Sequence, residues 1–485
     1  MAIPRKVNRR EALRLAGLGV TGVYLVGCGG PAPTPTPAPA APPTKAAAPA
    51  PTPTQPVPAA APAPTPTQPA PAVAAKPKEK ITLRLWHWDN FLIEPYEKEG
   101  AEFSKKFPNV SVSVEHTSAG EYPQKLTAAL AGGVPPDVIG VTVTRADFLL
   151  FATKGQLTPM MPYIQRDKFD LEDFYKLNLK QHTWKGTLYS LPYAWNTVVW
   201  FYNSDMLANE KVKTPTEYWR EGKWNWDSYL AIAAQLTKGS GVDKRWGSAL
   251  VSPNYTAAFL PLVWSSGGEL FDAGFTKPTL SDPATFAAYE FLFKVKSYAP
   301  GPEDAQTGTA ESGRIGLWPN WDIWYLLNLD RVPFKYSIVP PPASPKSGTH
   351  FFTGNAPGFG IAKGVKYPDD SWELIKFLLT PESLTRLFLA ANNAPSRRSV
   401  VESRDFWQKN PKLPDPALNW EIAKLKQESA KNPPKISNWA EMTKAHQEEI
   451  SLIWADKLAL DAGIKKINER WEKLLKEADV DPDTN

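Results

Sequence analysis

From residue 81 onward, apolar and polar positions sort the chain into alternating strands and helices. Ile81, Leu83 and Leu85 alternate with polar neighbours up to Trp86-His87-Trp88, and Asp89-Asn90 ends the run, which predicts a strand closed by a loop. A helical period over 93–107 stops at Pro108-Asn109. Val110, Val112 and Val114 predict a second strand. Residues 122–131 predict a helix stopped by Gly132-Gly133. A third strand over 136–141 and a helix over 145–154 continue the series. Strands separated by helices predict a parallel sheet. In open sheets of this kind ligands sit beyond the C-terminal strand ends, here 86–89 and 142–147.

The stretch Gly186 to Asn203 reads as extended chain on both sides of Pro192, which cannot donate a ladder hydrogen bond and so falls at a strand break. Downstream, Asp282-Pro283 and Thr380-Pro381-Glu382 each combine a polar cap with proline at the first helical position. Helical periods also cover 417–428, 439–458 and 463–478.

The first 78 residues carry a different signal. Arg9-Arg10 precede a short apolar run from Leu15 to Gly27, too short for an ordinary membrane-spanning helix. It ends Leu25-Val26-Gly27-Cys28, a lipobox pattern with Cys28 as the lipidated residue. Cys28 is the only cysteine, so the mature fold has no internal disulfide. A dinucleotide-like Gly17-Leu-Gly19-Val-Thr-Gly22 lies inside this run, with no preceding strand, and is set aside. Residues 29–78 are mostly Pro, Ala and Thr, with eighteen prolines and no acid between Pro31 and Pro77. Such a segment favours polyproline II and acts as a tether, reaching up to about 150 Å at about 3.1 Å per residue.

Charge follows the same division. Residues 1–78 hold eight Lys or Arg and one acid, which leaves 47 bases against 49 acids in 79–485. The basic balance therefore belongs to the export segment and argues against nucleic acid as a partner. About 407 residues exceed one small core, so two lobes are expected.

Six motifs occur in order: Ala128-Ala-Leu-Ala-Gly132-Gly with Pro136-Asp137-Val138; Gly155-Gln-Leu157-Thr-Pro159; Lys185-Gly186 through Tyr189-Ser190-Leu191-Pro192-Tyr193 to Tyr202-Asn203; Gly222-Lys-Trp224-Asn-Trp226; Phe359-Gly360-Ile361-Ala362-Lys363-Gly364 before Ser371-Trp372; and Asn392-Asn393-Ala394-Pro395-Ser396-Arg397. Together they resemble extracellular solute-binding family 1, the carbohydrate-type, maltose-binding-protein-like binding lipoproteins of ABC importers. The resemblance implies a two-lobed, periplasmic-binding-protein-like α/β fold, each lobe a mostly parallel sheet flanked by helices, with three interlobe crossovers near 193–196, 354–358 and 394–397. Lobe 1 spans about 79–195 and 355–395, and lobe 2 about 196–354 and 396–485. Gly354 and Gly358 are expected to lend the second crossover backbone freedom, and Pro192 and Pro395 to stiffen the ends of the others. The implied function is capture of a sugar or oligosaccharide and its delivery to an ABC permease, by a monomer without cofactor, anchored to the extracytoplasmic face of the membrane through Cys28.

Nineteen tryptophans, all after residue 85, supply the candidate chemistry. More than half are expected to be core. A sugar ring packs its C–H face on an aromatic plane, while its hydroxyls need polar partners. Trp88-Asp89-Asn90, Trp195-Asn196 and Trp318-Pro-Asn320-Trp321-Asp322 each set a flat ring beside such a partner. The ligand-binding expectation is Trp86, Trp88, Asp89, Thr144, Asp147, Trp195, Asn196, Trp264, Trp318, Asn320, Trp321, Asn355 and Arg397, with Trp318 the ring that the resemblance favours. Five scattered histidines form no metal-ligand pattern, and no G-x-S-x-G elbow occurs. A surface-anchored glycan-degrading enzyme, with Asp89 facing Asp147, is the alternative, and a purely adhesive lipoprotein a third reading.

Overall fold

A computed structural model of the protein describes residues 79–483 apart from 143–146, 254–255, 305–306, 323–331, 392–393 and 411–412. The export segment with Cys28, the Pro/Ala/Thr tract, Thr144 and Asn392-Asn393 lie outside the described residues.

Strands run in chain order as β1 (Ile81–His87), β2 (Val110–His116), β3 (Val138–Val141), the hairpin β4 (Thr183–Trp184) and β5 (Thr187–Leu188), β6 (Ser190–Pro192) and β7 (Val198–Asn203). Next come β8 (Trp246–Ser248), β9 (Ile315–Trp321), β10 (Tyr336–Val339), β11 (Phe352–Thr353) and β12 (Gly358–Ile361). The short strands β13 (Ala430–Lys431), β14 (Lys435–Ile436) and β15 (Val480–Asp481) follow. Two main sheets result, ordered β2-β1-β3-β12-β6 and β10-β7-β9-β8.

Both sheets are covered on both faces. In β1, Leu83 and Leu85 enter one core layer with Phe103 and Trp372, while Trp86 enters the opposite layer with Tyr122 and Phe148. In β7 the alternation is strict: Val198, Trp200 and Tyr202 join the layer holding Trp226, Tyr289 and Trp471, whereas Val199 and Phe201 join Trp318, Trp407 and Ile422. Strands buried on two faces read as nearly continuous apolar runs, and Val198–Asn203 does. The helices Ile93–Lys106, Tyr122–Ala131, Pro283–Lys296, Pro381–Ala391, Pro416–Ser429, Trp439–Trp454 and Leu460–Lys476 form near the spans expected from period and caps. Asp282 stands at its N-cap without a side-chain cap bond, so Pro283 carries that start.

The expectation of mostly parallel sheets needs correction. β1 runs parallel to β2 and β3, but β12 is antiparallel to both β3 and β6. In the second sheet β7 is antiparallel to β9 and β10, and only β8 and β9 are parallel. The cause is the crossing of the chain. A strand that arrives from the other sheet enters against strands joined by local helices.

The three crossing segments lie side by side. Tyr193 N–H donates to Pro357 O at 2.9 Å, Trp195 N–H to Ala394 O at 2.8 Å, and Asn196 N–H to Asn355 O at 2.8 Å. Pro192 is the last residue of β6, opposite Gly358, at the strand break its chemistry requires. Gly354 and Gly358 do not take the left-handed angles that would make backbone freedom their role. Instead, a Cβ on Gly358 would sit 2.3 Å from His182 Cε1, and one on Gly354 2.8 Å from Gln181 Nε2. Close approach is why glycine stands there.

Candidate functional site

At the C-terminal ends of β1, β2 and β3 the chain turns from apolar to polar. His87 is buried there: its Nδ1 accepts the Asp89 N–H at 3.0 Å, which leaves Nε2 to donate to the Tyr193 hydroxyl at 2.8 Å. Its ring stacks on Trp88, with centroids 4.3 Å apart. His116 Nε2 meets Trp88 O at 3.1 Å, and Thr117 N–H donates to His87 O at 3.1 Å. These bonds fix the β1 and β2 ends to one another and to the first crossing segment. Beside them opens a hollow of about 580 Å³ lined by His116, Thr117, Ser118, Glu121, Gln124 and Lys125. It offers hydroxyls, a carboxylate, a carboxamide and an amine, the donor and acceptor mixture that a hydroxyl-rich ligand requires.

The β3 end is tied to the crossings. Asp147 Oδ1 accepts the Thr142 N–H at 2.6 Å, and Thr142 Oγ1 donates to Asn355 Oδ1 at 2.8 Å. Beneath the first crossing, Lys426 Nζ donates to Trp195 O at 2.8 Å and stands 3.4 Å from Asp322 Oδ2 and 4.8 Å from the centre of the Trp195 ring. Burial pushes the Lys426 ammonium below its ordinary range, against the opposing pull of Asp322.

The expected site residues divide sharply. Trp318 is 2% exposed, stacked on Phe201 and edge-on to Phe334 inside the second sheet's core. As a ring waiting half-exposed for ligand, Trp318 is therefore a correction: the β9 face that carries it is covered by the helix Pro416–Ser429. Trp86, Trp88, Trp195 and Trp264 are also buried. Each has a structural reason: Trp86 packs against Tyr122 and Phe148, Trp88 stacks on His87 and meets Tyr122 edge-on, Trp195 lies 4.4 Å from Tyr175, and Trp264 Nε1 donates to Glu269 at 2.9 Å. Arg397 is a second correction. Its guanidinium is pinned by Asp173 at 2.9 Å, donates to Leu379 O, and lies over Phe169 and Phe174, so it braces the first sheet's core instead of reaching for ligand. Asp147 is 1% exposed, with one carboxylate oxygen accepting the Thr142 N–H, so it is held in place by the chain instead of standing open as a catalytic carboxylate would.

Asp89, Asn196, Asn320, Trp321 and Asn355 remain partly exposed at strand ends or crossings. Trp321 is the one ring among the six expected tryptophans that is not buried. Sequence reasoning missed the hollow beyond β2 and the lysine under the crossing. The polar run His116-Thr117-Ser118 after an alternating strand was a usable signal for the first. Nothing local marks Lys426. Among the described residues no group of His, Cys, Asp or Glu is arranged to hold a metal.

Two helix-covered sheets joined by three adjacent crossing strands, with polar strand ends at the junction, define a two-lobed solute-binding fold of the periplasmic-binding-protein class. Residues 99–415 match the bacterial extracellular solute-binding protein family, and the chain belongs to that family. The family places its work outside the cytoplasm and is one of binding proteins, not enzymes. The chain is 23% identical over 346 residues to an arabinooligosaccharide-binding protein of Bacillus subtilis, covering 68% of this chain and 76% of that one. It is also 23% identical over 322 residues to a maltotriose-binding protein of Pyrococcus abyssi, covering 65% and 66%. An ABC substrate-binding protein from Listeria monocytogenes, solved in complex with cycloalternan, superposes with a TM-score of 0.71 at 21% identity, over 81% of this chain and 99% of that one.

Proposed function

We propose that this protein captures a sugar or oligosaccharide between its two lobes and delivers it to an ABC importer, held as a monomer at the extracytoplasmic membrane face through lipid on Cys28. The reading divides the folded part as about 79–195 with 355–395, and about 196–354 with 396–485. One observation carries it: the three segments that pass between the two sheets lie hydrogen-bonded side by side, and the polar ends of both sheets flank them. Ligand held by both sides then favours the closed form by its differential affinity for that form. The relatives supply the ligand class, since they are named for arabinooligosaccharide and maltotriose and the Listeria structure holds cycloalternan. Asp89, Asn196, Asn320, Trp321, Asn355 and the residues of the β2 hollow are the proposed contacts.

Calorimetry across a glycan panel, with product analysis and small-angle scattering on the same samples, tests this. Binding without turnover, with a smaller radius at saturation, is the expected result. Released product, or no binding to any glycan, overturns it.

A further inference from the structure

The segment after the last long helix is tied to the opposite lobe by an ionic seam. The helix Leu460–Lys476 sends Ile464, Ile467, Trp471 and Leu475 into the second lobe's core. Beyond it β15 pairs with β14, Asp481 opposite Lys435 and Val480 opposite Ile436. Three aspartates at alternate positions then meet three lysines. Asp479 lies 2.6 Å from Lys185 Nζ, Asp481 2.7 Å from Lys435 Nζ, and Asp483 2.6 Å from Lys180 Nζ.

The seam reaches into the first lobe. Lys180 and Lys185 flank β4, whose Trp184 belongs to the first lobe's core, and β5 follows with Leu188. Asp481 Oδ2 also accepts the Lys185 N–H at 2.9 Å, at the first residue of the β4–β5 turn, where φ is 45°. Lys435 Nζ donates further to Thr183 O at 2.9 Å and Lys180 O at 3.2 Å. The central pair is almost without solvent contact, at 1% and 4% side-chain exposure. The stretch that leads into β14 grips the second crossing: β13 pairs with β11, Gly354 N–H donates to Lys431 O at 2.8 Å, and Gln181 joins Asn432 to the Ala356 N–H.

We propose that Lys435–Asp481, with the ion pairs on either side of it, is a strap that fixes the angle between the lobes before ligand binds. It is a non-covalent link apart from the three crossings, and its bonds from Lys435 Nζ to Thr183 O and Lys180 O, and from the Lys185 N–H to Asp481, join the β4–β5 hairpin of the first lobe to the end of the second. A buried ion pair is a better device for specifying one arrangement than for adding stability, because desolvation offsets much of its attraction. The two outer pairs are more exposed and screened by salt, and they guide the aspartates into register.

Pulsed electron-electron resonance reads this directly. The full chain with Cys28→Ala takes nitroxides at Lys98 and Lys465, exposed residues of the first and second lobes, and is measured without sugar. The parent should give one narrow distance peak. Lys435→Met with Asp481→Leu, which replaces the pair by apolar groups, should lose the narrow peak. Lys180→Gln with Lys185→Gln removes only the outer pairs, leaves every core intact, and should broaden the peak partially. It also decides the matter if the first variant does not fold. Broadening in either folded variant supports the strap; distributions that superpose on the parent in every folded variant overturn it. Because no ligand is present, that failure is distinct from a failure to bind sugar.

Discussion

The backbones of Asn196 and Asn355 form a reciprocal pair: the Asn196 N–H donates to Asn355 O at 2.8 Å, and the Asn355 N–H donates back to Asn196 O at 3.1 Å. The two residues sit in different crossings, so this pair zips them at one point. Thr142 Oγ1 on the Asn355 side chain adds the end of β3 to the same point. A change in lobe angle has this junction to pivot around, because its backbone groups are already satisfied by one another.

Trp318→Ala should act on stability. The ring is buried against Phe201 and Phe334, so its loss leaves a cavity, and the expected cost is about 3–5 kcal/mol in urea unfolding. Calorimetry on the fraction that still folds should give near-normal affinity for the cognate glycan. A stable variant with weakened binding would return the ring to the cleft.

Trp321→Ala should do the reverse. This ring is partly exposed at the end of β9, beside Asn320, whose side-chain oxygen accepts its backbone N–H at 2.8 Å. Loss of a stacking surface for a sugar face should weaken binding by about 1–3 kcal/mol. The empty protein should lose less stability than with Trp318→Ala, because this ring is only partly buried where it packs on the second lobe's core. Titration calorimetry paired with thermal unfolding checks both halves.

The fold was legible in the sequence where local rules act alone. Tyr122–Ala131 shows its period and its glycine stop, and Val198–Asn203 shows the unbroken apolar run of a strand covered on both faces. The site was less legible for the same reason. When helices cover both faces of β7 and β9, alternation no longer separates core from cleft, and Trp318 beside Asn320 reads like a sugar platform although Phe201 already occupies its ring face. Strand direction was hidden too, since only the crossings decide it. Arg397 with Asp173, 224 positions apart, could not be paired from spacing, and its charge in a crossing reads as a ligand contact.

Cys28→Ala should release the protein from membranes in cell fractionation, with glycan affinity unchanged. The residue ends the apolar run from Leu15 and is the only thiol in the chain. Continued membrane association of the variant would instead favour an uncleaved helix as anchor.

Mild acid should destabilise the fold through two buried histidines. His182 donates from Nε2 to Ala356 O at 2.8 Å and contacts Ser190 Oγ through Nδ1 at 2.6 Å, an arrangement that fits the neutral ring. His446 lies among Phe259, Tyr289 and Trp471, with its Nε2 3.0 Å from the Tyr289 hydroxyl. Burial lowers both pKa values from the ordinary 6.5 to about 3. Between those limits the unfolded chain binds a proton that the folded one refuses, so stability is full above 6.5 and is lost as pH falls toward about 3. From pH 7 to pH 5 each histidine should cost about 2 kcal/mol, a window in which ordinary carboxylates stay ionised in both states. His446→Gln keeps an acceptor for Tyr289 but cannot titrate. Urea unfolding at pH 7, 6 and 5 should therefore give a shallower loss for the variant than for the parent, by up to about 2 kcal/mol over the range, whatever the substitution costs at pH 7. Parallel pH profiles for the two proteins would mean that His446 accepts a proton in place.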